Sequence, residues 1–297
     1  MERRDGMSGR TIKLVAAGAA VVAGPAVASA ESSYPSLEIM TEGGLTLSDY
    51  SKAIGKVGGG PLSFDNDIGG YGSISVGRAF DATSPYDWRI TGTVTQFLDN
   101  DVSYSDSFNG GVGSAGLNTG FGMQTLDFDI GRRTKQDNFE ARFFAGVRGM
   151  HLKQEQGLSF SAFDADNSYA TSKVGTTEFL GVGPRVGVDA RYGGTWGVVG
   201  AVSGSAIYGR RKTSLSFEYQ ASYEDEQYGP YQFGGSASEN DWLAEITASA
   251  GVSYKPNEGT EVIIGYRGQQ LWNVTSENFG EDDILIHGPF VGLKLKF

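Results

Sequence analysis

The sequence predicts an all-β fold, a transmembrane antiparallel up-and-down β-barrel of about ten strands. Three observations carry this: long stretches in which every second residue is apolar, connections that alternate between short and long, and a final strand that ends on phenylalanine. The alternation is plainest from Leu180 to Tyr192. Leu180, Val182, Pro184, Val186, Val188, Ala190 and Tyr192 alternate there with Gly181, Gly183, Arg185, Gly187, Asp189 and Arg191. Only a strand, whose neighbouring side chains point to opposite faces, sorts residues with this period.

The same period of two recurs along the chain, giving approximate strands at 36–42, 68–80, 86–98, 120–130, 139–152, 176–192, 196–215, 241–255, 260–272 and 284–297. A soluble β-sandwich also alternates, so the choice between the two rests on the connections and the strand ends. The connections Asp81–Asp87, Gly131–Asn138, Gly193–Thr195 and Pro256–Gly259 are short, whereas 43–67, 99–119, 153–175, 216–240 and 273–283 are longer. Outer-membrane barrels place short turns on the periplasmic side and long loops outside. An even strand count returns the C-terminus to the periplasmic side and keeps every long loop outside. The segment 157–175 reads as a hairpin continuing two strands above the membrane; if it holds an extra strand pair, the count becomes twelve. A sixteen-stranded porin would leave too few residues for each strand and its connection.

Tryptophan placement agrees. Trp88 and Trp196 fall at short-turn ends and Trp242 and Trp272 at long-loop ends, all on the apolar parity, and Tyr192 and Tyr254 join them as expected interface girdles. The chain closes with Val291, Leu293, Leu295 and Phe297 on one parity and Lys294 and Lys296 on the other. This is the pattern of the terminal strand through which the barrel-assembly machinery recognises such proteins.

The first thirty residues read as an export signal. Arg3, Arg4, Arg10 and Lys13 precede an apolar run from Leu14 to Ala23, and Ala28-Ser29-Ala30 is a small-x-small cleavage site. Met7 is an equally serviceable start. The expected organisation is therefore a signal peptide at 1–30 and one barrel domain at 31–297. The chain has 297 residues with 45 Gly and no Cys, which excludes disulfides, thiolate metal sites and cysteine catalysis. Its net charge of −11 disfavours nucleic acid as a partner.

Charged residues avoid the apolar parity in mid-strand. Glu140, Arg142, Arg148, Arg185, Asp189, Arg191, Arg211, Glu245, Glu261 and Arg267 all lie on the opposite face, and the exceptions Arg78, Glu178 and Arg210 sit toward strand ends. An Arg or Lys facing hydrocarbon near the midplane costs about 2–4 kcal/mol, so a barrel in a bilayer sorts charge this way. Inside a narrow lumen these residues either line a constriction for ions and small solutes or fill the interior as salt bridges. Arg142, Arg185, Asp189, Glu245 and Arg267 are expected at the narrowest part.

The run Phe143-Phe144-Ala145-Gly146-Val147-Arg148-Gly149-Met150-His151-Leu152-Lys153-Gln154, followed by Phe179-Leu180-Gly181-Val182-Gly183-Pro184-Arg185-Val186-Gly187-Val188-Asp189, resembles the Legionella-type major outer membrane protein family. The similarity covers roughly residues 139–211. It implies a pore-forming role, with outer-membrane lipid and small solutes as partners, and Arg185 and Asp189 as motif positions. The absence of cysteine departs from any disulfide-linked assembly.

Two other function classes remain open. A structural or adhesive barrel would act through its outer loops, where Asp65-Asn66-Asp67, Asp99-Asn100-Asp101 and Asp164-Ala165-Asp166-Asn167 join Tyr219, Tyr223, Tyr228 and Tyr231. These acidic clusters lack the mid-loop Gly and closing Glu of an EF-hand and read as turns, so neither a metal nor a cofactor is expected. An omptin-like protease would need inward histidines, yet His151 and His287 both fall on the apolar parity. No enzyme is expected.

Overall fold

The computed structural model describes residues 37–48, 67–81, 83–98, 100–108, 111–164, 166–223, 226–274 and 283–297. The expected signal peptide, and most of the expected loops 43–67 and 273–283, lie outside them. The described chain is all strand and turn: β1 (Glu38–Ser48), β2 (Asp67–Ala79), β3 (Tyr86–Phe97), β4 (Asn100–Phe108), β5 (Gly111–Gln136), β6 (Phe139–Phe163), β7 (Asn167–Gly193), β8 (Trp196–Tyr223), β9 (Glu226–Asn257), β10 (Thr260–Trp272) and β11 (Ile284–Lys296).

Every neighbour pair is antiparallel, and the sheet closes on itself. β1 pairs with β11 (Ile39 opposite Leu295), and β3 pairs with β5 (Ile90 opposite Phe128), which leaves no edge in the ring. β3 and β4 pair in succession with lower and upper β5, at Gly122–Arg132 and Gly111–Thr119. They act as one interrupted strand. The ring therefore has ten strands, and the twelve-strand alternative is set aside.

Strand lengths correct the loop assignments. The expected loops 99–119 and 216–240 are mostly strand, in β4, upper β5, upper β8 and β9. The hairpin expected within 153–175 is present, with β6 and β7 paired up to Phe163 opposite Ser168. The alternation in these segments is of serine against aromatic residues, with no charge-against-aliphatic contrast to mark it. The expected turn 131–138 shrinks to Asp137 and Asn138, with Asp137 in the left-handed region at φ 51°.

Outside, the ring carries exposed apolar side chains, among them Ile74, Ile90, Val94, Leu126, Phe143, Val147, Leu180, Val186, Val202, Ile246 and Ile264. Aromatic pairs bound this band: Trp196 with Tyr254 (4.7 Å between ring centres) at the short-turn end, and Tyr208 with Trp242 (5.0 Å) at the other. Twelve positions of β8 separate Trp196 from Tyr208. At ~3.3 Å per residue and a ~40° tilt this is about 30 Å, the thickness of a hydrocarbon core.

Candidate functional site: a layered barrel interior

The inward parity is stratified. At the short-turn end six charges form a closed ring of alternating sign across the lumen. Glu38 meets Arg89 (3.1 Å), Arg89 meets Asp189 (2.9 Å), Asp189 lies 3.7 Å from Arg142, Arg142 meets Asp87 (2.7 Å), Asp87 contacts Arg133, and Arg133 returns to Glu38 (3.2 Å). These residues come from β1, β3, β5, β6 and β7, so the ring ties opposite walls together. Beside it, Arg191 donates to Glu261 (2.7 Å) and to the carbonyls of Gly193 and Gly194 in the turn, while Glu140 lies 3.9 Å from both Lys255 and Lys296.

Mid-barrel, Arg148 donates two 2.7 Å hydrogen bonds to the two oxygens of Asp127 and a third to Glu245. Glu245 also accepts from Thr247 Oγ1 (2.8 Å), Gln269 Nε2 (3.0 Å) and Ser205 Oγ (3.3 Å). Arg185 donates to Asp129 and lies over the Phe144 ring at 4.6 Å. Arg267 stacks over Tyr71 at 5.0 Å. Between the charges remains a cavity of about 220 Å³ whose lining includes Glu42, Thr91, Arg142, Arg185, Asp189 and Arg267.

Toward the long-loop end the interior becomes mainly apolar, with Ser48, Asp67, Gln154 and Arg211 as buried polar neighbours. Phe97, Phe121, Met123, Met150, Leu152, Phe179, Ile207, Leu243, Leu271, Val274, Ile284 and Ile286 form one apolar cluster, none more than 3% exposed. β3 and β5 through β11 contribute to it, so it crosses the lumen as a layer. Ile207 and Leu243 directly precede and follow the outward Tyr208 and Trp242, which sets this layer at the level of the outer girdle.

The glycines of the G-x-G-P-R-x-G-x-D string make room for these layers. A Cβ on Gly181 would stand 2.8 Å from the Phe179 ring and 2.9 Å from Ile207. Gly187 faces the Phe144 ring that carries Arg185. Pro184 interrupts the β7–β8 ladder, where no pairs lie between Val182–Tyr208 and Arg185–Ser205 because it has no N–H to donate. Gly181→Val is expected to overpack the apolar layer and destabilise the barrel by ~1–3 kcal/mol, while Gly92→Val, where a Cβ meets nothing within 4 Å, leaves the urea midpoint almost unchanged.

The structure brings Arg142, Arg148, Arg185, Asp189, Arg191, Glu245 and Arg267 together in the polar half, with Glu140 at its short-turn edge. Arg211 stands apart: it bridges to Asp241 (2.5 Å) and the Asn273 carbonyl at the long-loop end. Sequence reasoning passed over Glu38, Asp87, Arg89, Asp127, Asp129 and Arg133, although Leu126-Asp-Phe-Asp-Ile alternates as plainly as any strand. It also missed the apolar layer.

Above the outer girdle the parity inverts. Outward positions become largely polar (Ser159, Ser161, Ser172, Ser214, Ser216, Ser236, Ser238), and inward positions toward the tips of β6, β8 and β9 become largely apolar or aromatic. Phe160, Tyr169, Tyr219 and Tyr231 run as a ladder with ring centres 5.4–6.3 Å apart, and Phe217 lies 6.4 Å from Phe233. This wall faces the barrel axis and is open to water: Tyr231 is 51% and Phe233 63% exposed. At its tip Asp164 accepts from the backbone N–H of Asp166 (3.0 Å) and Asn167 (2.8 Å), and these donors hold its carboxyl below the ordinary aspartate range. The cluster is a turn, as its sequence suggests. Asp65, Asn66 and Asp99 of the other two clusters lie outside the described residues.

Both histidines face outward, His151 against Glu178 (2.9 Å) and His287 against Tyr266 (2.5 Å).

A closed ten-stranded ring, an apolar outer band with aromatic girdles and a charged interior define a β-barrel of the bacterial outer membrane. Residues 88–297 match the family model described as Legionella pneumophila major outer membrane protein precursor, and the chain belongs to that family. Among solved structures it is similar to the outer membrane protease OmpT of Escherichia coli (14% identity, 91% of this chain and 99% of that one, TM-score 0.44). Others are a major outer membrane protein of Thermus thermophilus (12%, 88% and 99%, 0.35) and the Neisserial surface protein A (10%, 88% and 97%, 0.34). No curated protein matches.

Proposed function

We propose that this is a barrel closed to solutes in its resting form, which acts through the β-sheet it raises above the outer rim. The supporting observation is the apolar layer. A hydrated ion crossing it would shed much of its water against Phe121, Leu152, Phe179 and Leu243, with Gln154 opposite Phe121 and Arg211 opposite Phe179 as buried polar neighbours, and apolar constrictions of this kind hold channels shut by dewetting. The salt bridges beneath, paired across the lumen, read as an interior filling. The sheet above carries the features of an interaction surface, an exposed apolar wall bordered by polar strands. Both histidines lie on the outer face, away from the inward position an omptin-like protease would need.

The pore expected from the sequence is a second reading, favoured by the cavity of about 220 Å³ among the charges. It requires the layer to part. The test is planar-bilayer recording of the purified protein under a salt gradient. Silence with a folded, inserted barrel is expected. Conductance steps whose ion selectivity changes in Arg185→Ala or Glu245→Ala would replace this reading with the narrow pore. The terminal strand fits an assembly role, since Leu37 and Phe297 exchange backbone hydrogen bonds (3.3 and 2.9 Å) at the closing seam and the Phe297 side chain is 65% exposed.

A further inference from the structure

Two outward features meet on one side of the barrel. The first is a depression of about 700 Å³ in the hydrocarbon-facing surface, across β2, β3, β5 and β6. Gly72, Gly92 and Gly149 form its floor, and Ile74, Val94 and Leu126 its apolar rims. A Cβ on Gly92 would meet nothing within 4 Å, and outward Gln124 stands between Val94 and His151 as the polar residue of the groove. The second lies where the membrane ends. His151, Lys153, Glu178, Arg210 and Lys212 all take the outward parity on β6, β7 and β8, the parity that charge avoids lower down. His151, Leu180 and Arg210 stand on one hydrogen-bonded rung, and Lys153, Glu178 and Lys212 on the next. His151 and Leu180 also line the depression, so the two features are continuous.

The charges there do not cancel. Glu178 hydrogen-bonds His151 (2.9 Å) and stands directly opposite Lys212, Glu155 is engaged by Lys153 (2.6 Å), and Arg210 and Lys212 have no ion pair within 4.0 Å among the described residues, so with His151 neutral the patch keeps one net positive charge. In a chain of net charge −11, a net positive patch whose Arg210 and Lys212 hold no salt bridge, beside a largely apolar groove and just beyond the Tyr208–Trp242 girdle, calls for an anion that carries a hydrocarbon tail. We propose that this face binds a phosphorylated glycolipid of the outer leaflet. Its phosphate sits between Arg210 and Lys212, and an acyl chain lies along the depression over Gly149 and Gly92. The acidic hairpin tips do not compete, because they stand farther from the membrane. This site is independent of whether the lumen conducts.

The experiment is titration of the intact barrel, in discs of zwitterionic phospholipid, with three probes: bis-phosphorylated lipid A, its dephosphorylated form, and phosphatidylglycerol. Native mass spectrometry counts the retained lipid. The proposal expects lipid A to be retained at least about tenfold more tightly than either other probe. Arg210→Gln with Lys212→Gln should remove most of that preference. Gly92→Leu, which fills the groove at a position with room for it, should weaken lipid A and leave the heat-dependent gel mobility of the folded barrel unchanged. Equal retention of the phosphorylated and dephosphorylated forms would overturn the proposal. So would phosphatidylglycerol bound as tightly as lipid A, or lipid A bound equally by the charge variant and the parent.

Discussion

Phe121→Ala combined with Phe179→Ala is expected to turn a silent barrel into one that passes ions. Phe121 (1% exposed) and Phe179 (0%) are the two largest fully buried side chains of the apolar layer, and each is packed against other members of it. Removing both rings takes away two of the largest of the twelve described side chains that separate the polar cavity below from the water-exposed aromatic wall above. The layer cannot collapse into the vacancy freely, because its members are fixed on strands locked in a closed ring. Each truncation also destabilises by ~3–5 kcal/mol, as deletion of a buried aromatic ring does, so the urea midpoint should fall in step. The pairing of outcomes is informative. Small conductance steps from a destabilised but folded double variant identify the layer as the seal. Persistent silence with the same loss of stability moves the seal down to the ring of Glu38, Arg89, Asp189, Arg142, Asp87 and Arg133, and adding Arg89→Ala should then open it. Outward Phe143→Ala, which touches neither, is expected to stay silent.

The outer surface was far more legible in the sequence than the interior. Lipid imposes one demand on every outward position of a strand, so Leu180 to Tyr192 announces its two faces without knowledge of any partner. The girdles follow from the same demand, and Trp196 with Tyr254 and Tyr208 with Trp242 pair as interface residues do. The interior is decided by cross-barrel partners that no local pattern encodes. Arg89 and Asp189 are a hundred positions apart, and nothing near Asp189 says that it meets Arg89 and Arg142 rather than water. The apolar layer is hidden for another reason. Met150, Leu152, Phe179, Ile207, Leu243 and Leu271 are inward residues, most of them next to outward apolar or aromatic ones, so at this height both parities are apolar and the period of two blurs. Such runs, Phe179-Leu180, Ile207-Tyr208, Trp242-Leu243 and Leu271-Trp272, recur on four consecutive strands. That recurrence was the available signal. Of the extension above the membrane, the β6–β7 hairpin was legible, whereas 99–119 and 216–240 were misjudged as loop because their alternation carries no charge contrast.

Arg148→Met is expected to be among the most damaging single changes in the polar half, and its rescue tests why. Arg148, Asp127, Glu245 and Gln269 are 1–4% exposed, and the guanidinium satisfies both oxygens of Asp127 and one of Glu245. Methionine keeps the apolar stem of the side chain but strips both carboxylates of the guanidinium they share, leaving Asp127 only the more distant Arg185 (3.6 Å). Breaking a buried pair in this way costs about 3–5 kcal/mol, chiefly from the uncompensated charge rather than from the lost attraction. That distinction predicts the rescue. Adding Asp127→Asn and Glu245→Gln removes both orphaned charges while keeping hydrogen-bonding amides in their places, so the triple variant should recover most of the lost stability, although it has no ion pair at all among these three positions. Reversible urea unfolding in lipid vesicles would measure each step. If the triple variant stays as unstable as Arg148→Met, the attraction itself holds the barrel together, and the charged layer is a structural tie. If it recovers, that charge cluster is replaceable in the fold, and its retention in the sequence must answer to what the lumen does.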